Sequence, residues 1–494
     1  MKPSFYKSKW NALKRKPDAI AIKHLANQVA LSFLDRYFYN DRYEAEYIDL
    51  LCEMATCFED DEFNKIASSA LFGIVVEGLC DDFEDLQTET YNRVMSQVIS
   101  FCRKIPSGRE FNKCLHEFGL FDFNDLMKRV EKLRAESGTF RKLTRNPKKI
   151  MVLSRVTIGA DVAITSVIIQ RLMNRFLSAE IVLIGDARLS ELFGNNSNIR
   201  IAPVVYSRRG GLIERFGAWH SVLEIVENET SGNIDSTLLI DPDSRLSQLG
   251  VLPLVDDSKY LFFNSRGSQK FPPKLSLSRL ANLWMDKILG ESEFCYPMVW
   301  LSDDVIEKSA NFAKKLRKKG CRKIISVNFG VGGNSRKRVD DGFEEKLVLK
   351  LLAEPRTVVL LDRGFGTDEN ARSESILKEA AKKKIRIKDI SFGSFNGAEI
   401  SGGVIGIRSG IGEVASLIAE SDEFIGYDSA CQHIAAALGI TAYTIFAGSN
   451  NPRFIRRWNA CGPEKSEIIH VDTLSHPRTF DTEDIIARII DERT

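Results

Sequence analysis

Phe424-Ile-Gly-Tyr-Asp-Ser-Ala-Cys-Gln-His-Ile-Ala-Ala-Ala-Leu-Gly439, continued by Thr441-Ala-Tyr-Thr-Ile-Phe-Ala-Gly-Ser-Asn-Asn-Pro452, decides the fold class. It reads as a short buried strand, a polar turn at 428–433, an alanine-rich helix ending at Gly439, and a second strand opening into a Gly/Ser/Asn loop. In open α/β sheets ligands sit at the carboxyl ends of strands. A helix that starts there offers unpaired N–H groups and a positive dipole end to an anion. Small residues at Ser429 and Ala430 let a phosphate approach the backbone.

The same order recurs upstream. Lys149-Ile-Met-Val-Leu153 is an apolar strand, Ser154-Arg-Val-Thr-Ile-Gly-Ala-Asp161 a glycine-containing turn, Val162 to Leu172 an amphipathic helix, and Ala179-Glu-Ile-Val-Leu-Ile-Gly185 a second strand. This is the strand–helix–strand signature of a parallel sheet. Here the turn delivers a carboxylate, Asp161. One turn presents an acid and the other a phosphate-sized nest, so the expected fold class is α/β, with two Rossmann-like lobes facing each other across a cleft. Neither turn has the G-x-G-x-x-G fingerprint or the G-K-[ST] of a P-loop.

Arg155-Val-Thr-Ile-Gly-Ala-Asp-Val162, paired with Asp428-Ser-Ala-Cys-Gln-His-Ile-Ala-Ala-Ala-Leu-Gly439, resembles glycosyltransferase family 9, the ADP-heptose:lipopolysaccharide heptosyltransferases. The resemblance spans about residues 148–490. Against the family pattern the first glycine is displaced by one, and Asp-Ser-Ala stands where Asp-Thr-Gly is usual. The resemblance implies a GT-B fold and an inverting, metal-independent transfer with Asp161 as general base. It implies no cofactor, only a nucleotide-diphosphate sugar as co-substrate, with ADP-heptose favoured. The acceptor class it implies is an anionic glycan or glycolipid of the lipopolysaccharide-core type.

Composition bounds the remaining classes. The chain has 494 residues, 44% hydrophobic, with a net charge of +2, so bulk electrostatics gives no case for nucleic acid. Nine cysteines with no C-x-x-C read as reduced thiols of a cytoplasmic protein. No apolar run approaches the ~20 residues of a membrane span, so any contact with the inner membrane surface is expected to be peripheral.

Residues 1–140 differ in texture. Apolar residues recur at helical spacing in 19–34, 43–58, 63–76, 91–102 and 111–133, which predicts an additional all-α domain of five to seven helices, outside the family resemblance and open to an unknown protein partner. Acidic clusters at 60–62 and 81–85 lack ligand spacing and read as solvated helix ends or loops rather than a metal site. A basic linker at 141–147 follows, able to touch anionic headgroups or simply to be solvated. The expected lobes are 148–298, carrying acceptor and base, and 299–475, carrying the donor, with 476–494 as a closing helix.

Within those lobes, Ser207 to His220 is a glycine-hinged loop. Arg208, Arg209 and Trp219 in it could clamp an anionic acceptor, the guanidinium fork matching carboxylate or phosphate. A mobile loop without ligand is the alternative. After the strand at 236–240, Asp243 and Arg245 are acceptor candidates, with a helix cap at Asp243 or Ser244 equally good. Phe329-Gly-Val-Gly-Gly-Asn-Ser-Arg-Lys-Arg338 is a glycine-rich turn after a strand, in which Arg336 or Lys337 would contact the donor diphosphate. Glu413, Asp428, Ser429, Ala430, Cys431, Gln432 and His433 complete the expected donor site. Glu413 could merely favour its helix dipole, Asp161 could merely cap a helix, and His433 could be a packing residue. Two other functions stay open, a GT-B-like binding or regulatory protein without turnover and a nucleotide-sugar epimerase.

Overall fold

The computed structural model describes residues 1–80, 83–136, 146–208, 210–231, 236–266, 272–475 and 480–493. Two parallel sheets carry the α/β part. The first contains β1 (Lys149–Leu153), β2 (Glu180–Gly185), β3 (Ile199–Pro203), β4 (Thr237–Asp241) and β5 (Tyr260–Phe262), in the order β3-β2-β1-β4-β5. The second contains β6 (Lys323–Asn328), β7 (Thr357–Asp362), β8 (Ile387–Ser391), β9 (Gly403–Arg408), β10 (Glu423–Tyr427), β11 (Ala442–Phe446) and β12 (Ser466–His470), in the order β12-β11-β10-β6-β7-β9-β8. Every strand pair with a defined register is parallel. The inner strands are rich in apolar residues because both of their faces are buried.

The chain divides into two compact units. The first comprises 1–156, 182–186 and 202–272. Seven α-helices lie among its described residues before β1, and the run expected over 111–133 is split at Gly119, whose φ of 72° ends the helix Arg109–Glu117 before Phe123–Glu136 begins. These helices do not form a separate domain, contrary to the expected boundary at 140. Their apolar side chains share one core with the sheet, running from Trp10, Phe33 and Tyr91 through Met151 and Val182 to Leu239 and Phe262. Polar contacts reinforce the union: Arg129 Nη1 donates to the Gly250 carbonyl at 2.6 Å, and Arg134 Nη1 to Asn264 Oδ1 at 2.6 Å. Most of the basic linker lies outside the described residues.

The second unit comprises 157–181, 187–201 and 273–494. The expected boundary at 298/299 therefore also moves. The helix running over 158–175 and the helix Leu277–Leu289 both belong here, tied by Arg171 Nη1 to Asp286 Oδ1 at 2.8 Å, while Gln170 Nε2 donates to the Tyr296 carbonyl at 2.7 Å. The closing helix is Thr482–Glu492; it buries Ile485, Ile486 and Ile489, and Arg493 Nε beyond it meets Glu423 Oε2 at 2.7 Å. No helix among the described residues is long and apolar enough to cross a membrane.

The shared core of the first unit has a direct consequence. A chain starting at residue 146 would expose the face of the first sheet and of the helix Leu212–Thr230 that the N-terminal helices cover, including Phe216 and Trp219. We expect it to aggregate or to unfold without cooperativity, and the full chain to be monodisperse and to unfold cooperatively. Size-exclusion chromatography and a thermal scan check this; a soluble, cooperatively folded fragment would contradict the shared core.

Candidate active site

The order of the second sheet fixes where a ligand would sit. From β6 the chain builds toward β7 on one side, then returns to place β10 on the other side of β6 and continues to β11 and β12. The topological switch therefore lies between the carboxyl ends of β6 and β10, the position at which open α/β sheets bind ligands. Two loops leave the sheet there. The one after β6 turns through Gly332 and Gly333, both at positive φ, into a 3₁₀ turn at Ser335–Lys337, where Asn334 Oδ1 accepts from Arg336 N at 3.2 Å. The one after β10 leads into the helix Ala430–Ala437.

An ion pair joins them. Lys337 Nζ lies 2.6 Å from Asp428 Oδ2, and Gln432 Nε2 donates to Asp428 Oδ1 at 2.7 Å, so the buried carboxylate is fully engaged. Arg338 is committed to Glu344 at 2.8 Å. Arg336, by contrast, is exposed and makes no ion pair among the described residues. Gly448 holds the loop after β11 against this turn, because at φ 77° any Cβ there would lie 2.4 Å from the Arg336 carbonyl oxygen.

The start of the helix Ala430–Ala437 carries a concentration of unused polarity. Ser429 occupies the N-cap with an extended backbone, yet its side chain makes no cap hydrogen bond. Ser429 Oγ, Gln432 Oε1 and His433 Nδ1 are all buried without a hydrogen-bond partner. Each such group costs about 1–3 kcal/mol unless something else satisfies it, and the first-turn N–H groups beside them also lack intrahelical partners. Burial, opposed by the charge of Asp428, lowers the pKa of His433 to about 4, so the imidazole is neutral. Cys431 is buried in the same turn with its thiol pushed up by burial, which makes it a packing group rather than a nucleophile.

Against this helix start lies Gly159. A Cβ at 159 would stand 3.0 Å from Ala430 Cα and 3.2 Å from His433 Cδ2, so glycine lets the two helix starts touch. Two residues on, Asp161 is almost fully buried and receives a hydrogen bond from Thr165 Oγ1 at 2.8 Å. Capping does not explain it. The helix begins at Ile158 with Thr157 as N-cap, and Asp161 sits inside, at the start of a wide π turn over Asp161–Thr165 that packs on the helix Ala430–Ala437.

A further acid at the carboxyl ends was not singled out in the sequence. Asp362 ends β7 and gathers the Asn328 amide, the Gly364 N–H at 3.2 Å and Ser409 Oγ at 3.4 Å; burial outweighs these donors and pushes its carboxyl up to about 6. The available signal was a polar residue closing each of the apolar runs 323–328 and 357–362. Glu413 Oε2 accepts from Gly410 N at 2.7 Å and caps its own helix. Among the described residues no group of His, Cys, Asp or Glu comes together as a metal site.

The acceptor expectations in the first unit need correction. Trp219 is 0% exposed, donates from Nε1 to the Pro253 carbonyl at 2.7 Å and packs edge-on to Phe111, so it offers no face to a sugar. Asp243 is buried and does not cap; Ser244 does, accepting from Leu246 N at 3.1 Å. Burial alone would raise the Asp243 carboxyl, but Arg266, Arg134 and Arg155 outweigh it and hold it at about 2. Both guanidinium nitrogens of Arg266 that face it lie at 3.0 Å, leaving no charge for a ligand. Arg208 is exposed and pairs with Glu77 at 3.3 Å, Arg245 is half-buried, and Arg209 lies outside the described residues.

Residues 404–487 match the model of glycosyltransferase family 9 (heptosyltransferase). The matched segment contains β10, the 428–433 turn and the helix after it, and falls within the span over which the resemblance was expected. Among solved structures, the family 9 glycosyl transferase of Veillonella parvula aligns at 14% identity over 71% of this chain and 93% of its own, with a TM-score of 0.48. E. coli heptosyltransferase WaaC with ADP aligns at 13% identity over 70% and 100%, with a TM-score of 0.47. E. coli ADP-heptose lps heptosyltransferase II aligns at 15% identity over 70% and 100%, with a TM-score of 0.45. No curated protein matches the chain.

The neutral His433 gives the site a pH signature. Its folded pKa, about 4, lies below the ordinary 6.5, so its contribution to stability is complete above pH 6.5 and is lost as pH falls toward 4. Asp362, raised to about 6, acts in the opposite direction over that range, so the comparison must be between two proteins. Relative to His433→Gln, the wild type should lose about 3 kcal/mol between pH 6.5 and pH 4, since each tenfold difference in proton affinity between folded and unfolded chain is worth about 1.4 kcal/mol. Urea unfolding of both proteins across that range measures it; a pH-independent difference would mean that His433 is not buried as described.

Proposed function

We propose that this chain is a glycosyltransferase that moves a sugar, a heptose by its family 9 segment, from a nucleoside-diphosphate donor to an anionic glycan or glycolipid acceptor. The observation that carries this reading is the contact of Gly159 with Ala430. It sets the helix of the buried Asp161 against a helix start whose Ser429 Oγ, Gln432 Oε1 and His433 Nδ1 lack partners at the switch point of the sheet. A buried acid and an unfilled anion nest then belong to one site.

The chemistry follows from what each group can do. An acceptor hydroxyl is far too weak an acid to ionise near pH 7, so its oxygen needs a base as it attacks the anomeric carbon. Asp161, oriented by Thr165, takes that proton. The new bond forms between the acceptor oxygen and the anomeric carbon while the bond to the diphosphate oxygen breaks on the opposite face, which inverts the centre. The leaving diphosphate carries the electron pair into the positive end of the helix Ala430–Ala437 and toward Arg336. In this reading Lys337 and Gln432 act through Asp428, which they hold in place at the edge of the nest, and charge stabilisation comes from the chain rather than a metal. ADP-heptose is the first donor to test, and the donor class points to the cytoplasm.

Asp161→Asn keeps shape and the Thr165 contact but cannot accept the proton. Release of nucleoside diphosphate on addition of acceptor should fall by at least ~10²-fold, with donor affinity little changed. Arg336→Ala should show the reverse split, weakening donor binding by roughly 10-fold or more through loss of a charge-assisted hydrogen bond. Steady-state kinetics and calorimetric donor titration separate the two. Transfer by Asp161→Asn at the wild-type rate would remove Asp161 from the base role, and donor binding without turnover by any acceptor would favour a binding protein.

A further inference from the structure

The first 24 residues carry a charge unlike the rest of the chain. Seven basic residues (Lys2, Lys7, Lys9, Lys14, Arg15, Lys16 and Lys23) face a single acid, Asp18, a net of +6 in a protein whose total is +2. The remaining 470 residues are therefore net −4. The structure sorts these cations into two groups. Lys7 and Lys14 turn inward to Glu53, Lys14 at 3.6 Å, and Trp10 Nε1 donates to the same carboxylate at 3.2 Å. Lys2, Lys9, Arg15, Lys16 and Lys23 are exposed and make no ion pair among the described residues.

The helix Pro3–Leu13 explains the sorting. Tyr6 and Trp10 face the core, four residues apart on one side. Phe5 and Lys9 follow the same spacing on an outward side, with Lys9 Nζ 4.5 Å from the Phe5 ring centroid. Phe5 is 40% exposed, Met1 71% and Ile20, in the first turn of the following helix, 80%. The segment is held in place rather than frayed: the Tyr47 hydroxyl donates to the Met1 carbonyl, and Tyr6 OH lies 2.8 Å from Ser32 Oγ. An ordered segment that mixes unpaired lysines with exposed apolar side chains suits one kind of partner. Anionic headgroups complement the cations, while the acyl boundary takes the apolar tips; a polyanion in water would leave those tips unused.

We propose that the N-terminal helix and the turn after it, through Lys2, Phe5, Lys9, Lys16, Ile20 and Lys23, form a docking surface for an anionic phospholipid bilayer. This assignment stands independently of the sugar-transfer reading, since it uses no residue of that site. It places the chain on the membrane surface by electrostatic attraction and shallow apolar insertion.

The test is co-sedimentation of the full chain with vesicles of phosphatidylcholine, alone or with about one-third phosphatidylglycerol, at low and high salt. Wild type should bind only the anionic vesicles, and high salt should weaken the binding. Charge reversal of four unpaired positions (Lys2→Glu, Lys9→Glu, Lys16→Glu, Lys23→Glu) should lower the partition coefficient by at least ~100-fold, each cation near such a surface being worth roughly fivefold. Phe5→Ser with Ile20→Ser should lower it severalfold more than heparin binding, used as a polyanion control. Thermal scans of both variants verify folding, which these exposed side chains do not support. Failure of wild type to bind anionic vesicles would overturn the proposal, as would equal binding by the charge-reversed protein. So would an apolar double variant that binds vesicles as wild type does, because the surface would then be a plain polyanion site.

Discussion

The absence of a side chain at residue 159 is the constraint on which the candidate site rests. A Cβ there would meet the backbone of Ala430 and the ring of His433, and backbone cannot be moved aside as the end of a flexible side chain can. Because the position is open, the helix that carries Asp161 and the helix that starts at the switch point meet at their beginnings. The nest is then shaped from both sides, and the polar atoms of Ser429, Gln432 and His433 are buried before any ligand arrives. Unless water or a ligand satisfies them, three such groups would forgo several kcal/mol of stability, at about 1–3 kcal/mol each. Strain of this kind concentrates where a protein binds.

The first unit follows a different logic. At the carboxyl end of β4 the chain presents Asp241 and Asp243, both buried, and fills their surroundings from the N-terminal helices and the segment after β5. Burial pushes Asp241 up to about 6, although Ser247 and Tyr260 donate to it, while arginines hold Asp243 at about 2. Arg134, from the helix Phe123–Glu136, approaches Asp243 to 3.7 Å and also donates to the Leu249 carbonyl at 3.2 Å. The guanidinium of Arg266 sits 5.0 Å from the Tyr91 ring centroid. Asp243, which looked available to a ligand, therefore neutralises arginines and joins the helical layer to the sheet. A buried network of this kind favours one packing arrangement, since removing either partner leaves a charge without compensation.

What the sequence made legible was local. Strand 149–153 stood out because parallel strands buried on both faces are largely apolar runs. Asp428 and the helix after it were readable from a turn followed by alanine spacing. Less visible were β5, which is only three residues long, and β8, Ile387-Lys-Asp-Ile-Ser391, an edge strand whose polar residues break the pattern. The fate of Trp219 could not be read because an aromatic in a glycine-hinged segment looks alike whether it faces solvent or a neighbouring helix. Its partners, Phe111 and the Pro253 carbonyl, are remote in sequence. Asp243 failed for the same reason. Compact-unit boundaries were hidden too, since Arg171 binds Asp286 and Glu293 across a long stretch of chain.

The central claim is that the start of the helix Ala430–Ala437 is an anion nest for the diphosphate of a nucleotide sugar. Calorimetric titration of the full chain with ADP, compared with Ser429→Trp, tests it most directly. Ser429 is a small residue at the N-cap, and an indole there would fill the space in front of the first-turn N–H groups. The account predicts that wild type binds ADP with measurable heat, and that the tryptophan variant, folded by its thermal transition, binds at least ~100-fold more weakly through loss of the charge-assisted bonds. Equal affinity in the two proteins, or no binding of any nucleoside diphosphate by wild type, would contradict it.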